Sequence, residues 1–573
     1  MKRFVSRVAV CATVLCGFVA IVAADEPAAF PKPFNTQDAK DVLFPPEQLV
    51  AKMQVPEGFR VSLFAAEPDV QQPVAITTDS RGRLWVGEMY TYAESKVNFD
   101  TTLRDRIVIL EDTDGDGKCD KRKVFWDGGV RLSAVAVGHG GVWALCAPYL
   151  YFIPDANGDD IPDGPAIVKL DGWNDGAVRH NIVNGLTLGP DGWFYGRHGI
   201  LATSSVGKPG TPESRRVKVN VGVWRYHPVT EAFEMVCDGT TNPWGFDFDD
   251  HGEMFFINTV IGHFWHILPG AYYRRMYGEH LNPRLYGIIE QHADHFHWDT
   301  VEAWSDIRKG VTESTKKAGG GHAHVGMMLY LGDNWPESYR GNMFTLNLHG
   351  LRINRDIVQR EGSGFVAKHG EDFLFANNPW FRGIDLIYGD DGGVYIADWS
   401  DVGECHENDG VHRTSGRIYK VTYGEPRKPS LGDLSLLPHV ALADLAMHRN
   451  DWYVRTARRI LQERAAAKAD LSTAHARLRE IFEKEADPTR KLRAIWALYV
   501  SGGLDAAAQR KLLSHDNEHV RVWGVRLLGE SGDYAKEDVA ALKQLAHGDP
   551  SALVRVHVAS ALRFILEGDG GGY

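Results

Sequence analysis

The chain has 573 residues, a formal net charge of −12 and a hydrophobic fraction of 44%. This length exceeds what one hydrophobic core usually supports, and the composition excludes an intrinsically disordered protein. The acidic balance argues against a nucleic-acid partner, because binding phosphates requires basic surfaces.

The N-terminus has the pattern of a targeting segment. Basic residues precede an apolar stretch at positions 8–22, and small residues follow it as a cleavage site. We predict a signal peptide over residues 1–24, and therefore a periplasmic or secreted protein. The alternative is an uncleaved segment that anchors the chain in a membrane, although the stretch is short for a spanning helix. Residues 25–54 are Pro-rich and predict an extended lead-in.

A short phrase, a tight Gly turn followed by an apolar-aromatic strand, returns six times along the chain. Its copies are 51 to 89 residues apart and lie at Gly82, Gly141, Gly192, Gly252, Gly341 and Gly393. Each interval has room for a four-stranded blade that must stack against its neighbours around a channel. The repeats predict an all-β six-bladed β-propeller over residues 55–424, with functional residues at the channel mouth. The longest interval predicts a His- and Trp-rich insertion at about 262–320.

From about Leu437 the hydrophobic period changes from 2 to 3.6 residues, the period of an amphipathic helix. Related helical phrases follow, with Val-Arg or Leu-Arg pairs that begin at positions 454, 492, 520 and 554. Such recurrence is typical of helix pairs that stack into a solenoid. We predict an all-α HEAT-like repeat region over residues 437–566 and a Gly-rich tail at 567–573.

Two acidic loops have the spacing of calcium ligands. In the first, Gly117 stands at the sixth position, where a Ca²⁺ loop turns sharply, but position 12 is Lys123, so the loop is not an EF-hand. Crowded carboxylates repel each other without a cation, and oxygen-only ligand sets favour Ca²⁺. We predict structural Ca²⁺ ligands at Asp112, Asp114, Asp116, Asp120, Asp155, Asn157, Asp159 and Asp163. The alternative is a pair of solvated turns in which Asp only favours the turn geometry.

The predicted insertion and the residues after it are rich in histidine. These histidines are His263, His266, His280, His292, His295, His297, His322 and His324. At such spacing imidazoles can bind a transition metal or line a redox cofactor, and the alternative is a hydrogen-bonded insert. Three glycines at 319–321 indicate a backbone that passes close to another group. We therefore predict His322 and His324 as cofactor-binding residues.

Polar residues next to predicted strands are candidates for the channel mouth. His180 and Asn181 precede a predicted inner strand, where an imidazole can accept the proton of a hydroxyl whose carbon loses a hydride. We predict both as catalytic residues, and the alternative is a loop histidine with a structural partner. Asn242, Arg382 and Asp398 are further cofactor-binding candidates.

Phrases spread over nearly the whole chain resemble those of a known family. They include ILEDTDGDGKCD, NGLTLGPDGWFYG, GHFWHILPGAYYRRMYG, DNWPESYRGNMFTLNLHG, KHGEDFLFANNPWFRGIDL and GVHRTSGRIYKVTYG. The family is that of planctomycete-type secreted proteins named membrane-bound dehydrogenases, in which a propeller precedes HEAT-like repeats and often a cytochrome c module. The resemblance implies an oxidoreductase. Because this chain has no C-x-x-C-H motif, we expect no covalent haem in it and a separate cytochrome as the electron acceptor.

More distantly, segments 180–192 and 242–245 resemble soluble quinoprotein glucose and sorbosone dehydrogenases. This resemblance implies a six-bladed ring that binds pyrroloquinoline quinone at its top, together with Ca²⁺. The register differs, because Asn181 stands where that family has its base, Thr241 where it has Arg, and Trp244 where it has Gln. The missing Arg removes a bidentate partner for the carboxylates of the quinone.

Three functions are open from the sequence. The first is a dehydrogenase that oxidises a sugar or polyol, uses the quinone and passes electrons to a separate cytochrome c. The second is a non-catalytic propeller that binds a glycan or a protein, with the HEAT-like surface as a docking face. The third is a Ca²⁺-dependent hydrolase or lactonase.

Overall fold

The computed structural model describes residues 29–38, 40–285, 287–403, 406, 408, 410–426, 431–530 and 535–568. The predicted signal peptide and residues 569–573 of the predicted tail lie outside these ranges. Within the ranges, no helix combines the length and apolarity that crossing a bilayer requires.

Six sheets, antiparallel except for one strand pair, form a closed ring around a central channel, as the repeated phrase predicts. The innermost strand of each sheet contacts the innermost strand of the next, and the sixth contacts the first. The fold is therefore a six-bladed β-propeller followed by a helical region.

The strands of the first half of the ring follow the lead-in. A short helix, α1 (Pro46–Val50), and β1 (Phe59–Ala66) come first. Blade 1 contains β2 (Pro73–Thr78), β3 (Leu84–Glu88), β4 (Asp105–Glu111) and β5 (Lys121–Gly129). Blade 2 contains β6 (Leu132–Val137), β7 (Gly141–Cys146), β8 (Tyr149–Pro154) and β9 (Ile167–Leu170). Blade 3 contains β10 (Asn184–Leu188), β11 (Phe194–His198), β14 (Gly222–Tyr226) and β15 (Phe233–Thr240), with a hairpin of β12 (Ser204–Val206) and β13 (Val217–Val219) between its second and third strands.

The second half of the ring is less regular. Blade 4 contains β16 (Gly245–Phe248), β17 (Met254–Ile257) and β18 (Phe264–Ile267), and the next strand, β19 (Tyr272–Arg275), pairs with β15 of blade 3. Blade 5 contains β20 (His324–Leu329), β21 (Met343–Asn347), β22 (Arg352–Glu361) and β23 (Gly364–His369), with β24 (Leu374–Phe375) beside β22. Blade 6 contains β25 (Gly383–Tyr388), β26 (Val394–Asp398) and β27 (Arg417–Tyr423).

The repeated phrase marks the second strand of every blade, which explains why it recurs. The glycine of the turn before that strand often has a positive φ, as at Gly192 (+85°) and Gly252 (+74°). The helical region packs directly onto these turns, so that a Cβ at Gly252 would lie 2.5 Å from the Trp523 ring. Glycine is therefore required here both by the backbone conformation and by the close approach.

The first strand closes the ring. β1 pairs with β27 as the outermost strand of blade 6, with Ser62 opposite Lys420. Phe59 at the start of β1 makes edge-on contacts with Trp335, Phe373 and Tyr423. The N-terminal segment therefore joins blade 6 to the aromatic core of blade 5.

The His- and Trp-rich segment at 262–320 is not irregular throughout. It begins with β18 and β19, because the aromatic residues of β18 are buried in blade 4. The irregular part follows Arg275 and contains two short helices, α2 (Trp304–Ile307) and α3 (Glu313–Ala318). It covers the end of the channel that we call the upper end, opposite the turns between the first and second strands of each blade.

Eight helices follow the propeller in the described part of the chain. They are α4 (His439–Asp444), α5 (Asp451–Ala466), α6 (Ser472–Lys484), α7 (Pro488–Val500), α8 (Ala506–Leu512), α9 (Glu518–Glu530), α10 (Lys536–Gly548) and α11 (Ala552–Gly568). From α6 onward they pack as successive pairs. The division of these pairs into HEAT repeats stays a prediction.

Helix α5 lies across the lower end of the channel. Arg455 donates to the carbonyl of Phe248, Arg459 to that of Val137, and Gln462 to that of Gly192, at 3.1, 2.7 and 3.0 Å. These carbonyls belong to three different blades, so α5 ties the blades together. The helical region thus forms the floor of the channel, opposite the insertion at the upper end.

Candidate active site in the upper cavity

A cavity of about 610 Å³ lies at the upper end of the channel. This volume suits a small organic ligand or a cofactor together with a small substrate. Loops from all six blades and from the insertion contribute to its wall. The aromatic side chains of the wall are Tyr92, Trp244, Tyr277, Trp304 and Trp399, and the polar ones include Arg179, His180, Asn181, Thr241, Asn242, His322, His349, Arg382, Asp401 and His406.

His180 and Asn181, the predicted catalytic residues, both lie on this wall. The carbonyl of His180 accepts hydrogen bonds from Asn242 Nδ2 at 3.0 Å and Trp244 Nε1 at 2.7 Å. The His180 ring makes an edge contact with the His406 ring, with centroids 4.5 Å apart. Asn181 is buried, and its Oδ1 has no hydrogen-bond partner among the described residues.

Asn242 lies on the same wall, and the hydrogen bonds of its side chain connect its own loop to the loop of His180. Its Nδ2 donates to His180, and its Oδ1 accepts from Trp244 Nε1 at 3.1 Å. The neighbouring Thr241 is buried, and its hydroxyl has no partner in the described part of the chain. Thr241, rather than Asn242, therefore carries an unsatisfied polar atom next to the cavity.

His322 has the most clearly defined chemistry on the wall. Its Nε2 lies 2.9 Å from the carbonyl oxygen of Trp304, which can only accept, so this nitrogen carries the proton. Nδ1 therefore carries the lone pair, and it has no partner among the described residues. Burial, reinforced by the neighbouring His349, lowers the pKa of His322 to about 4. The imidazole is thus neutral at physiological pH, and its Nδ1 can accept a proton or a hydrogen bond.

His324 and Asp398, two further predicted cofactor-binding residues, are not part of the cavity wall. His324 points toward His297, with its Nε2 2.9 Å from His297 Nδ1. Asp398 accepts hydrogen bonds from the backbone of Arg382 and Ser400, and burial raises its pKa to about 6. His324 therefore has a structural partner in the insertion, and Asp398 has structural partners next to the strands of blade 6.

Arg382 lies on the wall, but its guanidinium serves the loops around it. It donates to the carbonyls of Pro379, Phe381, Val402 and Gly403 at 2.6–2.9 Å. These bonds join the loop before β25 to the loop after β26 and fix the rim of blade 6.

The two acidic loops lie at the lower end, far from the cavity along the channel axis. The first connects β4 to β5, and the second connects β8 to β9. Asp112 accepts from the backbone of Gly115 and Gly117, and Asp159 from that of Ile161, so these side chains support the turns. Ligand atoms of Asp112, Asp114 and Asp116 lie within 4.8 Å of one another. Calcium binding at either loop stays a prediction.

Trp304, His349 and Trp399 are wall residues that the sequence analysis did not single out. The density of Trp and His in the insertion was visible, but which of these residues face one cavity depends on how the loops of separate blades meet.

Comparison with known proteins places the chain in a family. A family model described as "Domain of unknown function (DUF7133)" matches residues 45–425, which contain the whole ring. The chain belongs to the DUF7133 family. No curated protein matches this family member.

Solved structures similar to this DUF7133 protein have low sequence identity to it. One is an oxidoreductase from Thermus thermophilus described as a glucose dehydrogenase, with 16% identity, a TM-score of 0.41, and coverage of 63% of this chain and 99% of that one. Another is the PQQ-bound aldose sugar dehydrogenase of Streptomyces coelicolor, with 15% identity, a TM-score of 0.40, and coverage of 64% and 99%. A third is the PQQ domain of pyranose dehydrogenase from Coprinopsis cinerea, with 14% identity, a TM-score of 0.39, and coverage of 65% and 97%.

The described wall of this DUF7133 cavity does not fit a tricarboxylate quinone. Such a cofactor needs cationic donors, and the wall has two arginines. Arg382 donates to four carbonyls, and Arg179 donates to the carbonyl of Ala93 at 2.9 Å and to the Ser95 hydroxyl at 3.0 Å. His322 is neutral. The size of the cavity and its aromatic wall suit a planar or polyhydroxylated ligand without carboxylates.

Proposed function

We propose that this protein binds a sugar or polyol in the upper cavity and oxidises one of its hydroxyl groups. The supporting observation is that wall residues Asn181, Thr241 and His322 each carry a buried polar atom without a hydrogen-bond partner in the described part of the chain. An unsatisfied buried polar group costs about 1–3 kcal/mol. Because the cavity surface does not expose these three atoms, a ligand with several hydroxyl groups satisfies them only when the side chains turn toward the cavity.

The remaining wall supports the same class of ligand. Trp399 and Tyr92 pack edge-on against each other, with centroids 5.5 Å apart, and present apolar surface to the cavity. Aromatic surfaces of this kind suit the apolar faces of sugar rings. Because both wall arginines are committed to oxygen acceptors of the protein, the wall favours a neutral ligand over a multiply charged one.

Oxidation of an alcohol to a carbonyl removes the hydroxyl proton and a hydride from the same carbon. We assign the proton to His322 Nδ1, whose lone pair is fixed by the hydrogen bond of Nε2 to Trp304. The hydride and its two electrons leave to a separate two-electron acceptor, for which the assay below supplies an artificial dye. Transfer of the electrons onward to a separate cytochrome is the step predicted from the sequence.

The test measures binding and turnover separately on the full chain. Binding of sugars and polyols is measured by calorimetry, and oxidation by reduction of an artificial quinone-type dye, with and without added pyrroloquinoline quinone and Ca²⁺. We expect His322→Gln to lower kcat by about 100-fold or more, the usual contribution of a general base, while the Kd changes little. His280→Gln, in the insertion but away from the wall, is the matched control, and His180→Gln tests the base predicted from the sequence.

A second candidate is a glycan-binding propeller without catalysis. The observation that favours it is the Trp304 side chain, which is 37% exposed at the rim of the cavity and can stack on a longer glycan. Saturable binding without dye reduction by any acceptor would support this function instead. Absence of both binding and turnover across the panel would refute both.

A further inference from the structure

A second cluster of polar side chains lies between blades 4 and 5, off the cavity wall. It consists of His263, His295, His297 and Asp356, of which only His295 has notable exposure, at 17% of its side chain. One nitrogen from each imidazole and a carboxylate oxygen all lie within 4.8 Å of one another.

Three of the separations in this cluster are close to the edges of a tetrahedral metal site. Asp356 Oδ2 lies 2.7 Å from His263 Nε2, and Asp356 Oδ1 lies 3.4 Å from His295 Nε2 and 3.3 Å from His297 Nε2. The Nε2 atoms of His295 and His297 are 3.1 Å apart. Bonds of about 2.0–2.2 Å from a central ion place tetrahedral ligand atoms about 3.3 Å apart.

The outer contacts of the cluster direct lone pairs toward its centre. His295 Nδ1 lies 2.9 Å from the Asp294 carboxylate, so this nitrogen is the donor and Nε2 carries the lone pair. His297 Nδ1 lies 2.9 Å from His324 Nε2, and when it donates there its Nε2 is also an acceptor. Asp356 Oδ1 is buried and has no hydrogen-bond partner among the described residues, although two imidazole nitrogens lie nearby. Without a metal, protons occupy such contacts, as in the 2.7 Å hydrogen bond that His263 Nε2 donates to Asp356 Oδ2, and a bound ion would replace them.

We propose that His263, His295, His297 and Asp356 bind one divalent first-row transition-metal ion, and that Zn²⁺ is the ion that fits best. Three imidazoles and one carboxylate in tetrahedral arrangement are a donor set that Zn²⁺ accepts, whereas Ca²⁺ and Mg²⁺ prefer oxygen ligands. Four protein ligands leave no open position, so the ion is structural. The site is independent of the function proposed for the cavity.

The ion would join three parts of the fold. His263 lies between β17 and β18 of blade 4, His295 and His297 lie in the insertion, and Asp356 lies on β22 of blade 5. The insertion already bridges these blades through backbone hydrogen bonds on either side of Ala293, to Phe264 at 2.8 Å and to Ala367 at 3.2 Å. The metal therefore fixes the insertion onto the ring.

Fixing the insertion matters for the cavity, because the insertion carries Trp304. The Trp304 carbonyl accepts from His322 and sets which nitrogen of that imidazole bears the proton. The metal site thus holds one wall of the cavity in place without taking part in its chemistry.

The test is the metal content of the full chain. Protein loaded with Zn²⁺ and then desalted is analysed by mass spectrometry of the metal, and Co²⁺-loaded protein by visible absorption. We expect about one Zn²⁺ per chain and the intense visible bands of tetrahedral Co²⁺ in the wild type. We expect His297→Gln and His295→Gln to lose both, and His280→Gln and Asp114→Asn, the latter in the first acidic loop, to keep both.

Several outcomes would overturn the metal site. One is a wild-type chain without stoichiometric Zn²⁺, and another is Zn²⁺ retained by both ligand variants. Loss of Zn²⁺ in Asp114→Asn would assign the ion to the acidic loop instead. If His297→Gln does not fold, His295→Gln decides the matter, because its ring reaches the surface and is the ligand whose replacement disturbs packing least. None of these readouts depends on catalytic activity.

Discussion

Replacement of Arg455 should weaken the floor of the channel by a predictable amount. Arg455 on α5 donates to Asp451 at 2.6 Å, to Asp247 of β16 at 2.7 Å and to the carbonyl of Phe248 at 3.1 Å. Asp247 is buried, and Arg455 is the cation that faces it. Arg455→Met keeps most of the side-chain volume and removes the charge and all three hydrogen bonds.

The expected loss follows from the burial of the pair. Removing one partner of a buried ion pair costs about 3–5 kcal/mol. Because the Arg455 side chain is still 25% exposed, we expect a loss just below this range, about 2–3 kcal/mol, in the free energy of unfolding. Urea titration followed by Trp fluorescence and circular dichroism measures the change, and Asp247→Asn combined with Arg455→Met should recover more than half of it.

The loss should depend on pH in a defined direction. Burial raises the pKa of Asp247, and Arg455 opposes this rise. Without Arg455 the folded-state pKa rises further above the unfolded value, so ionisation of Asp247 penalises the folded state. The destabilisation should therefore be largest near pH 8 and smaller near pH 5. An equal loss at both pH values, or no recovery in the double variant, would refute the reasoning.

Three further predictions concern the base, the ring closure and acid stability. Because the pKa of His322 is lowered to about 4, kcat/KM for sugar oxidation should begin to fall on the acidic side only below about pH 5, and an inflection near the ordinary histidine value of about 6.5 would contradict its role. Phe59→Ala should cost about 3–4 kcal/mol in urea titrations, because it removes an aromatic ring from the junction between β1 and blade 5, whereas exposed Phe34→Ala should have little effect. Burial lowers the pKa of His139 and of His198 to about 4, so the unfolded chain binds more protons than the folded chain between about pH 6.5 and 4. As the pH decreases through this range, the free energy of unfolding should fall by up to about 1.4 kcal/mol per pH unit for each histidine. A His198→Gln variant in which the free energy of unfolding depends on pH as in the wild type would contradict the contribution of His198.

The ring itself could be predicted because each blade contains one copy of a short local sequence motif. The Gly turn and the strand after it lie within about ten residues, and six copies are enough to count the blades. The position of β1 could not be predicted in this way. Its pairing with β27 joins residues that are 358 positions apart, and no repeated motif in the sequence indicates that these two strands pair.

The candidate site shows the same limit. The glycines before His322 indicated a close approach, and His322 does lie on the cavity wall. Which of its nitrogens accepts a proton depends on the carbonyl of Trp304, and a backbone oxygen carries no sequence signal. Asp356 was missed because it stands on β22 among alternating charged residues that read as an exposed strand face, although the side chain is fully buried.

The pairing of β1 with β27 also determines when the molecule can become a ring. β1 is the first of the described strands to be synthesised, and its partner β27 follows about 358 residues later. The four-stranded sheet of blade 6 therefore cannot be complete until almost the whole propeller has been synthesised. Such distant pairing slows folding, because a long loop must close before its contacts are gained. A chain that stops before Arg417 keeps unpaired strand edges, to which other chains can add. Closure of the ring thus depends on one junction, formed by the first and last strands of the propeller.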